Sequence, residues 1–170
     1  MDRIELNGVW YIKESLTFKK KYYKPDYSIT NLDVITYRNG DAIPKIKSPE
    51  KWRELTTGAY CYCDNDKSKG ILYNWYAVND PRGLAPLGWK IPDNKEMKLL
   101  HLKKNPQFNG YRGYNGFFYD IGAYGYWWSS SEDDAFNALY RSLDSNYGFV
   151  YRYFNDEPYG FSVRCIKENI

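Results

Sequence analysis

Few side chains in this chain of 170 residues could carry out covalent or metal chemistry. His101 is the single histidine, and the cysteines are Cys61, Cys63 and Cys165. A zinc site needs spaced ligands and a Ser/His/Asp triad needs a well-placed histidine, and this set supplies neither. The acidic run 132–134 resembles paired carboxylates, but a solvated loop is the simpler interpretation. The sequence therefore predicts no catalytic residue, no metal ligand and no cofactor.

Non-covalent recognition is indicated by the segment 137–156. It contains no Lys, Glu, Gln, Met or Trp, and aromatic and small polar residues recur along it. Tyr and Phe each offer about 150–250 Å² of contact area, and Ser, Asn and Asp add adaptable hydrogen bonds, which is the composition of a paratope. The candidate ligand-binding residues are Tyr140, Ser142, Asp144, Asn146, Tyr147, Phe149, Tyr151, Tyr153, Asn155 and Asp156. The strongest of them are Tyr140, Tyr147, Phe149, Tyr151 and Tyr153.

Two short strands and a turn must position these residues. In 139–143 and 149–154, apolar residues and arginines alternate with the candidates, which is the period-2 pattern of strands. The pattern predicts one framework face, containing Leu139, Arg141, Leu143, Val150 and Arg152, and one free face that binds. Phe154, Tyr159 and the Trp127–Trp128 pair could belong either to this surface or to a buried aromatic core.

The remaining elements follow from local signals. Ser48 as N-cap and Pro49 predict a short helix over 48–55, and Asp93 with Glu96 forms a capping box that predicts the best helix of the chain over 91–104. Strands are predicted over 8–17, 70–78 and 160–167, an extended segment over 28–44 with a turn at Asn39–Gly40, and Gly- and Tyr-rich loops with short extended pieces over 109–126.

Length and composition favour a single domain over residues 1–170. Aromatic residues make up 19% of the chain, so the core should be built from Tyr, Trp and Phe. No apolar run is long enough to span a membrane, and the first twenty residues lack the apolar region of a signal peptide. We therefore expect no membrane span, and the compartment stays open.

The net charge of +3 is unevenly distributed. Residues 1–104 contain 19 Lys and Arg against 13 Asp and Glu, whereas residues 105–170 contain 5 against 8. The run 18–24 mixes lysines with aromatics as a single-strand nucleic-acid binder might, but a solvated face is the commoner origin of such a pattern. We expect no nucleic-acid partner.

Several motifs, in fixed order, resemble a known family. They are VITYRNGDAIP, WRELTTGAYCYCDND, LYNWYAVND, GLAPLGWKIPDNKEM, YWWSSSE and YGFSVRC. Together they resemble the Fibrobacter succinogenes major paralogous domain, from about residue 8 to residue 167. The resemblance implies an α+β, C-type-lectin-like fold of short twisted antiparallel strands with about two helices and long loops. Members of the family are often secreted or surface-displayed. The chain departs from the usual pattern at Ala85 and Met97, and a Gly-rich insert before YRGYNG is largely missing.

The resemblance also bears on cysteines and calcium. It implies a disulfide between Cys61 and Cys165, with Cys63 unpaired. Calcium-dependent lectins of the wider superfamily use Glu-Pro-Asn or Gln-Pro-Asp and Trp-Asn-Asp triplets, and this chain has none of them. The reactive cysteine pair of the formylglycine-generating enzymes is not reproduced either.

The same fold displays segments that retroelements diversify at template adenines, mainly in Asn codons. Randomising the first two bases of such a codon cannot produce Lys, Glu, Gln, Met or Trp, the types missing from 137–156. A short segment also lacks them by chance. We expect a non-enzymatic ligand-binding or display module, diversified in this way or not, whose partner is a surface protein or another macromolecule. A calcium-independent lectin with a glycan partner is the alternative, an enzyme is a distant third, and the oligomeric state stays open.

Overall fold

The computed structural model describes residues 3–6, 9–14, 17–20, 27–28, 30–100, 102–132, 137–156 and 158–168. For 3–6, 9–14, 17–20, 98–99 and 156 it describes the backbone alone. His101 and two of the three acidic residues of 132–134 lie outside the described residues, so the expectations about them are not addressed.

The described chain combines many short strands with two short helices, which confirms the α+β prediction. The strands, numbered β1 to β13 in chain order, are Arg3–Leu6, Val9–Glu14, Thr17–Lys20, Tyr60–Tyr62, Ile71–Asn74, Trp89–Lys90, Tyr111–Arg112, Phe118–Tyr119, Tyr124–Glu132, Asn137–Asp144, Val150–Asp156, Gly160–Phe161 and Ile166–Lys167. The helices are α1, Pro49–Arg53, and α2, Trp75–Val78. Single 3-10 turns cover Cys63–Asn65, Lys67–Lys69 and Glu96–Leu99.

The strands form four antiparallel sheets within the described residues. The strand orders are β1-β2-β3, β11-β10-β9, β4-β5-β12-β7-β8 and β13-β6. In the second sheet β10 is the central strand, β9 contacts the rest of the core through the bridge of Trp127 to Ser162, and β11 lies at the edge. This placement decides which candidate residues face solvent.

Among the described residues the core consists of three hydrophobic clusters. The first contains Tyr73, Trp128 and Phe161, the second contains Trp127, and the third contains Trp52. Because the largest fully buried side chains are tryptophans, tyrosines and phenylalanine together with two arginines, the prediction of an aromatic core is confirmed.

A buried arginine ties a loop to this core. Arg112 donates to the carbonyl oxygens of Gly116, Ile46 and Lys47 at 2.8, 2.6 and 2.7 Å. Its guanidinium lies 4.4 Å from the ring centre of Trp52. The hydrogen bonds satisfy the charged group away from water. The loop that leads into the C-terminal sheets is thereby fixed to α1.

The prediction of the first helix is confirmed, and that of the strand over 70–78 is half right. The Ser48 side chain accepts from the backbone N–H of Lys51 and caps α1. The strand β5 ends at Asn74, whose side-chain oxygen accepts from the N–H groups of Ala59 and Ala77 at 2.9 and 3.1 Å. This cap begins α2, so 75–78 is helical rather than extended.

The prediction of a long helix over 91–104 is wrong. The capping box forms: Asp93 N–H donates to Glu96 Oε2 at 3.0 Å and Glu96 N–H donates to Asp93 Oδ1 at 2.7 Å. Only the 3-10 turn follows it, since Leu100 turns to extended backbone with φ −66° and ψ 122°. Leu100 and Leu102 are both buried in the second cluster, and tertiary burial outweighs the local preference of a short segment.

The remaining elements match the predictions in part. The turn at Asn39–Gly40 is present, with Gly40 at φ +93°. The predicted strand 8–17 contains β2, but the described backbone also pairs it with β1 and β3. The predicted last strand is divided into β12 and β13. No helix among the described residues is long and apolar enough to cross a membrane.

Candidate functional site

The central strand β10 fixes the register of the candidate segment. Tyr140 lies opposite Tyr153 of β11 and Trp128 of β9, and Ser142 lies opposite Tyr151 and Tyr126. Residues opposite each other in a ladder share a face, so the candidate tyrosines of β10 and β11 lie on one side of the sheet.

Four aromatic residues on that side form what we call the aromatic ladder: Tyr147, Phe149, Tyr151 and Tyr153. Their exposed fractions are 74%, 58%, 39% and 50%. Successive ring centres lie 6.3, 6.2 and 6.1 Å apart. These separations fall in the range of favourable aromatic pairs. The ladder is therefore a continuous strip of exposed aromatic surface along the hairpin.

The ladder is supported by the core through Tyr140. The ring centre of Tyr140 lies 6.0 Å from that of Tyr153 and 4.6 Å from that of the buried Phe161. Burial, together with the nearby Tyr153, raises the pKa of Tyr140 to about 12. Tyr140 is thus a neutral bridge between exposed rings and the first core cluster.

The turn of the hairpin is held by Asp144. Its Oδ1 accepts from the N–H groups of Asn146 and Tyr147 at 2.7 and 3.1 Å, and the N–H of Gly148, at φ +63°, donates to its carbonyl oxygen. Hydrogen bonds from the backbone of Tyr147 and Asn146, and from the Tyr124 hydroxyl, lower the pKa of Asp144. Its carboxylate therefore organises the turn that presents Tyr147.

The structure divides the candidate residues into two groups. The exposed candidates are Asn146 and the four residues of the aromatic ladder. Tyr140 and Asn155 are half-buried, and the side chain of Asp156 is not described. Ser142 and Asp144 are only 3% and 6% exposed. The prediction of a free face on β10 is wrong for these two residues. The strand β10 pairs with β9 at one edge and with β11 at the other, so Ser142 lies between the larger Tyr126 and Tyr151.

The framework face of β11 also differs from the prediction. Val150 and Phe154 are 44% and 59% exposed, although their counterparts in register, Leu143 and Leu139, are buried. The edge strand β11 thus exposes residues of both faces. Trp127 and Trp128 belong to the core, Phe154 to the surface, and Tyr159 is half-buried.

Sequence reasoning missed a second group of rings, which is centred on Tyr111. Tyr111 stacks with Tyr119 at 5.3 Å and with Tyr159 at 5.8 Å, and Tyr114 contacts Tyr159 at 6.0 Å. The Tyr111 ring also lies 5.1 Å from Tyr126. The signal for most of these rings was the Gly- and Tyr-rich run 109–126, which local analysis identified as loops with short extended pieces.

A phenol–carboxylate pair lies within this second group. The Tyr126 hydroxyl donates to Asp120 Oδ2 at 2.6 Å. Burial and this hydrogen bond raise the pKa of Tyr126 well above its usual value. The pair places an exposed carboxylate beside the rings.

The disulfide that the resemblance implied is not formed. Cys61, Cys63 and Cys165 are buried free thiols. Cys61 and Cys63 share the third core cluster, whereas Cys165 lies in the first. Burial raises the pKa of Cys61 and Cys165 to about 12 and that of Cys63 to about 11, so the thiols stay protonated and weakly nucleophilic at neutral pH.

A cleft of about 600 Å³ lies elsewhere on the molecule. Its lining comes from residues 30–35, 62, 67–71 and 107, and none of them belongs to the aromatic ladder. Among the described residues no group of three or more His, Cys, Asp or Glu is placed to hold a metal ion.

Comparison with known families gives one match. Residues 29–107 match the model of the Fibrobacter succinogenes major domain family. The match supports the family that the sequence motifs indicated, and it contains the whole lining of the cleft. The aromatic ladder lies beyond the matched range. The comparison with curated proteins and that with solved structures each found no match.

Proposed function

We propose that this protein is a non-enzymatic binding module, with a C-type-lectin-like fold, that recognises a protein partner through the aromatic ladder. The observation that carries the proposal is the continuous strip of four exposed rings on a hairpin whose central strand is buried. Contiguous exposed aromatic surface is unusual on a soluble monomer and typical of an interaction site.

The composition of the surface favours a protein partner. Tyrosine rings provide contact area at a low cost in side-chain entropy, and each carries a polar tip. Asn146, exposed in the turn, adds a carboxamide beside Tyr147. Since the ladder is backed by Tyr140 and Phe161, its rings are pre-positioned, which lowers the entropic cost of binding.

The test compares two variants that each remove a pair of exposed rings. Tyr151→Ala/Tyr153→Ala removes two successive rings at one end of the ladder, which are 39% and 50% exposed, and Tyr114→Ala/Phe117→Ala removes two rings outside the ladder, which are 53% and 57% exposed. Proteins cross-linked to the purified wild-type chain are identified and then tested singly, as purified partners, by calorimetry. We expect the first variant to lose at least one such partner and the control to keep it.

Glycan recognition by the ladder is the alternative, because sugar rings also pack on aromatic faces. A glycan array separates the two. Glycan signals that disappear in Tyr151→Ala/Tyr153→Ala would replace the protein-binding proposal by a calcium-independent lectin. If neither a purified protein nor a glycan distinguishes the wild-type chain from that variant, the ladder is not a recognition surface.

We further propose that the ladder positions are the ones a retroelement would vary. All ten candidate residues belong to the set that randomised Asn codons can encode. The coding region for 137–165 should then have a near-duplicate that differs mainly at adenines, next to a reverse-transcriptase gene. Mismatches should concentrate in the codons of Asn146 and the ladder residues and spare the buried framework residues. A complete locus without such a repeat contradicts diversification and leaves the binding module unaffected.

A further inference from the structure

The cleft in the region 30–107 contains a buried carboxamide whose orientation is fixed. Asn31 Oδ1 accepts from Trp127 Nε1 at 2.8 Å and from Arg164 Nε at 3.1 Å. Both partners can only donate, so the oxygen must face them and the Nδ2 group must face the other way. Asn31 lines the cleft, and among the described residues its buried Nδ2 has no acceptor.

A second buried amide lies close to the Gly70 wall of the cleft. Asn109 Nδ2 is buried, has no partner among the described residues and lies 3.2 Å from the position that a Cβ on Gly70 would occupy. Gly70 lines the cleft at φ +84°, whereas Asn109 does not line it, so the Asn109 amide reports on this wall. The unsatisfied Asn31 donor is costly unless something with acceptor oxygens can reach it.

The rest of the lining defines the charge and shape of a ligand. Asp33 and Lys67 carry opposite charges and neither forms an ion pair with another described residue, so the cleft is close to neutral overall. Tyr62 supplies an aromatic wall and Ile71 an apolar one, and Gln107 adds a further carboxamide. A volume of about 600 Å³ lies within the range of small-molecule sites.

We propose that this cleft binds a neutral saccharide. Sugar hydroxyl and carbonyl oxygens can accept from the Asn31 amide, and hydroxyl protons can be donated to Asp33. The apolar face of a sugar ring fits against an aromatic wall such as Tyr62. A small anion would meet the Asp33 carboxylate and a small cation would meet Lys67, so neither charge is favoured. The site is separate from the aromatic ladder and does not depend on its function.

The experiment follows the side-chain amide signals directly. Uniformly ¹⁵N-labelled protein is titrated with glucose, galactose, N-acetylglucosamine and lactose, and the NH₂ resonances of Asn31, Asn109 and Gln107 are recorded. We expect at least one of these sugars to shift the Asn31 and Asn109 signals in a saturable way. If none does so at millimolar concentrations, the proposal is wrong.

Two variants remove a donor and keep the acceptor beside it. Asn31→Asp retains the oxygen that Trp127 and Arg164 need, and Gln107→Glu retains the oxygen that accepts the Asn31 N–H at 3.2 Å. Each should weaken binding roughly tenfold, the effect of about one hydrogen bond. The matched control Asn65→Asp makes the same change at an exposed residue that does not line the cleft, and should leave affinity unchanged.

Folding and the position of the site are checked in the same spectra. The Trp127 indole N–H signal reports whether Asn31→Asp keeps its hydrogen bond to Trp127. If that bond is lost, the proposal is judged on the affinity of Gln107→Glu alone. Tyr151→Ala/Tyr153→Ala should leave the sugar-induced shifts intact. Shifts that occur on the ladder and vanish in that double variant would overturn the cleft proposal, whereas loss of protein binding in it concerns only the proposed function.

Discussion

The strands β10 and β11 are neighbours in one sheet and have nearly the same pattern of residues, yet their burial is opposite. Leu143 is 2% exposed while Val150, directly opposite it, is 44% exposed. In both strands aliphatic residues and arginine alternate with tyrosine or serine. The difference comes from position: β10 is covered by β9 and β11, while no described strand covers the outer side of β11. One strand is scaffold and the other is surface.

The largest expected effect comes from Leu143 and Val150, the aliphatic pair that faces each other across β10 and β11. Leu143→Ala leaves a cavity in the second core cluster and should lower the free energy of unfolding by about 2–5 kcal/mol. Val150→Ala removes a side chain at the exposed edge and should cost less than about 1 kcal/mol. Urea unfolding followed by tryptophan fluorescence measures both. Equal losses would mean that β11 is covered in solution, by a second copy or a partner.

A smaller difference is expected for the tyrosine pair. Tyr140→Ala removes a half-buried ring that packs on Phe161 and should cost about 2 kcal/mol, less than a fully buried aromatic residue. Tyr153→Ala should cost less than about 1 kcal/mol of stability and instead weaken partner binding. The same unfolding experiment, combined with calorimetry on a purified partner, separates the two effects. A Tyr153→Ala variant that loses stability like Tyr140→Ala would assign the ladder a structural role.

The alkaline stability of the protein tests the burial of Tyr140. The pKa of Tyr140 is about 12 in the folded protein and about 10 in an unfolded chain. Its contribution to stability is therefore complete below about pH 10 and is lost as the pH rises towards 12. Tyr140→Phe should make stability less dependent on pH in this window, as measured by urea unfolding at several pH values. An unchanged pH profile would show that Tyr140 ionises as an exposed phenol does.

The smallest effect is expected at the turn. The pKa of Asp144 is lowered in the folded state, so the stability it provides is present above the ordinary carboxyl range and is lost as the pH falls through its lowered pKa. The amide signals of Asn146 and Tyr147 should shift together in that acid window in an NMR titration. In Asp144→Asn they should not titrate. If they shift equally in both proteins, another group controls the turn.

Sequence reasoning succeeded where the signal was local. The Ser48 cap, the Asn39–Gly40 turn and the alternation of β10 and β11 are encoded within a few residues, and each is present. It failed where packing overrode a local signal. The capping box of Asp93 and Glu96 forms, but the chain leaves the helix after one turn to bury Leu100 and Leu102.

The residue types of the candidate site were predicted from the sequence, but the contributions of other segments were not. The aromatic ladder was found because its residues are contiguous in sequence. Tyr111, Tyr114, Tyr119 and Tyr159 form a second group of rings from other segments, and the cleft brings Asn31 next to Gln107. Contacts between residues so far apart in the sequence leave no periodic pattern that one sequence could reveal.

The sequence by itself determined an aromatic core, short strands and a C-terminal segment rich in aromatic and small polar residues, because composition, caps and alternation act over short distances. Tertiary structure alone decided that β10 lies inside the sheet and β11 at its edge, since that order depends on which strand β9 pairs with. It also decided which polar groups stay unsatisfied: the oxygen of Asn31 is taken by Trp127 and Arg164, and its amide is left at the cleft.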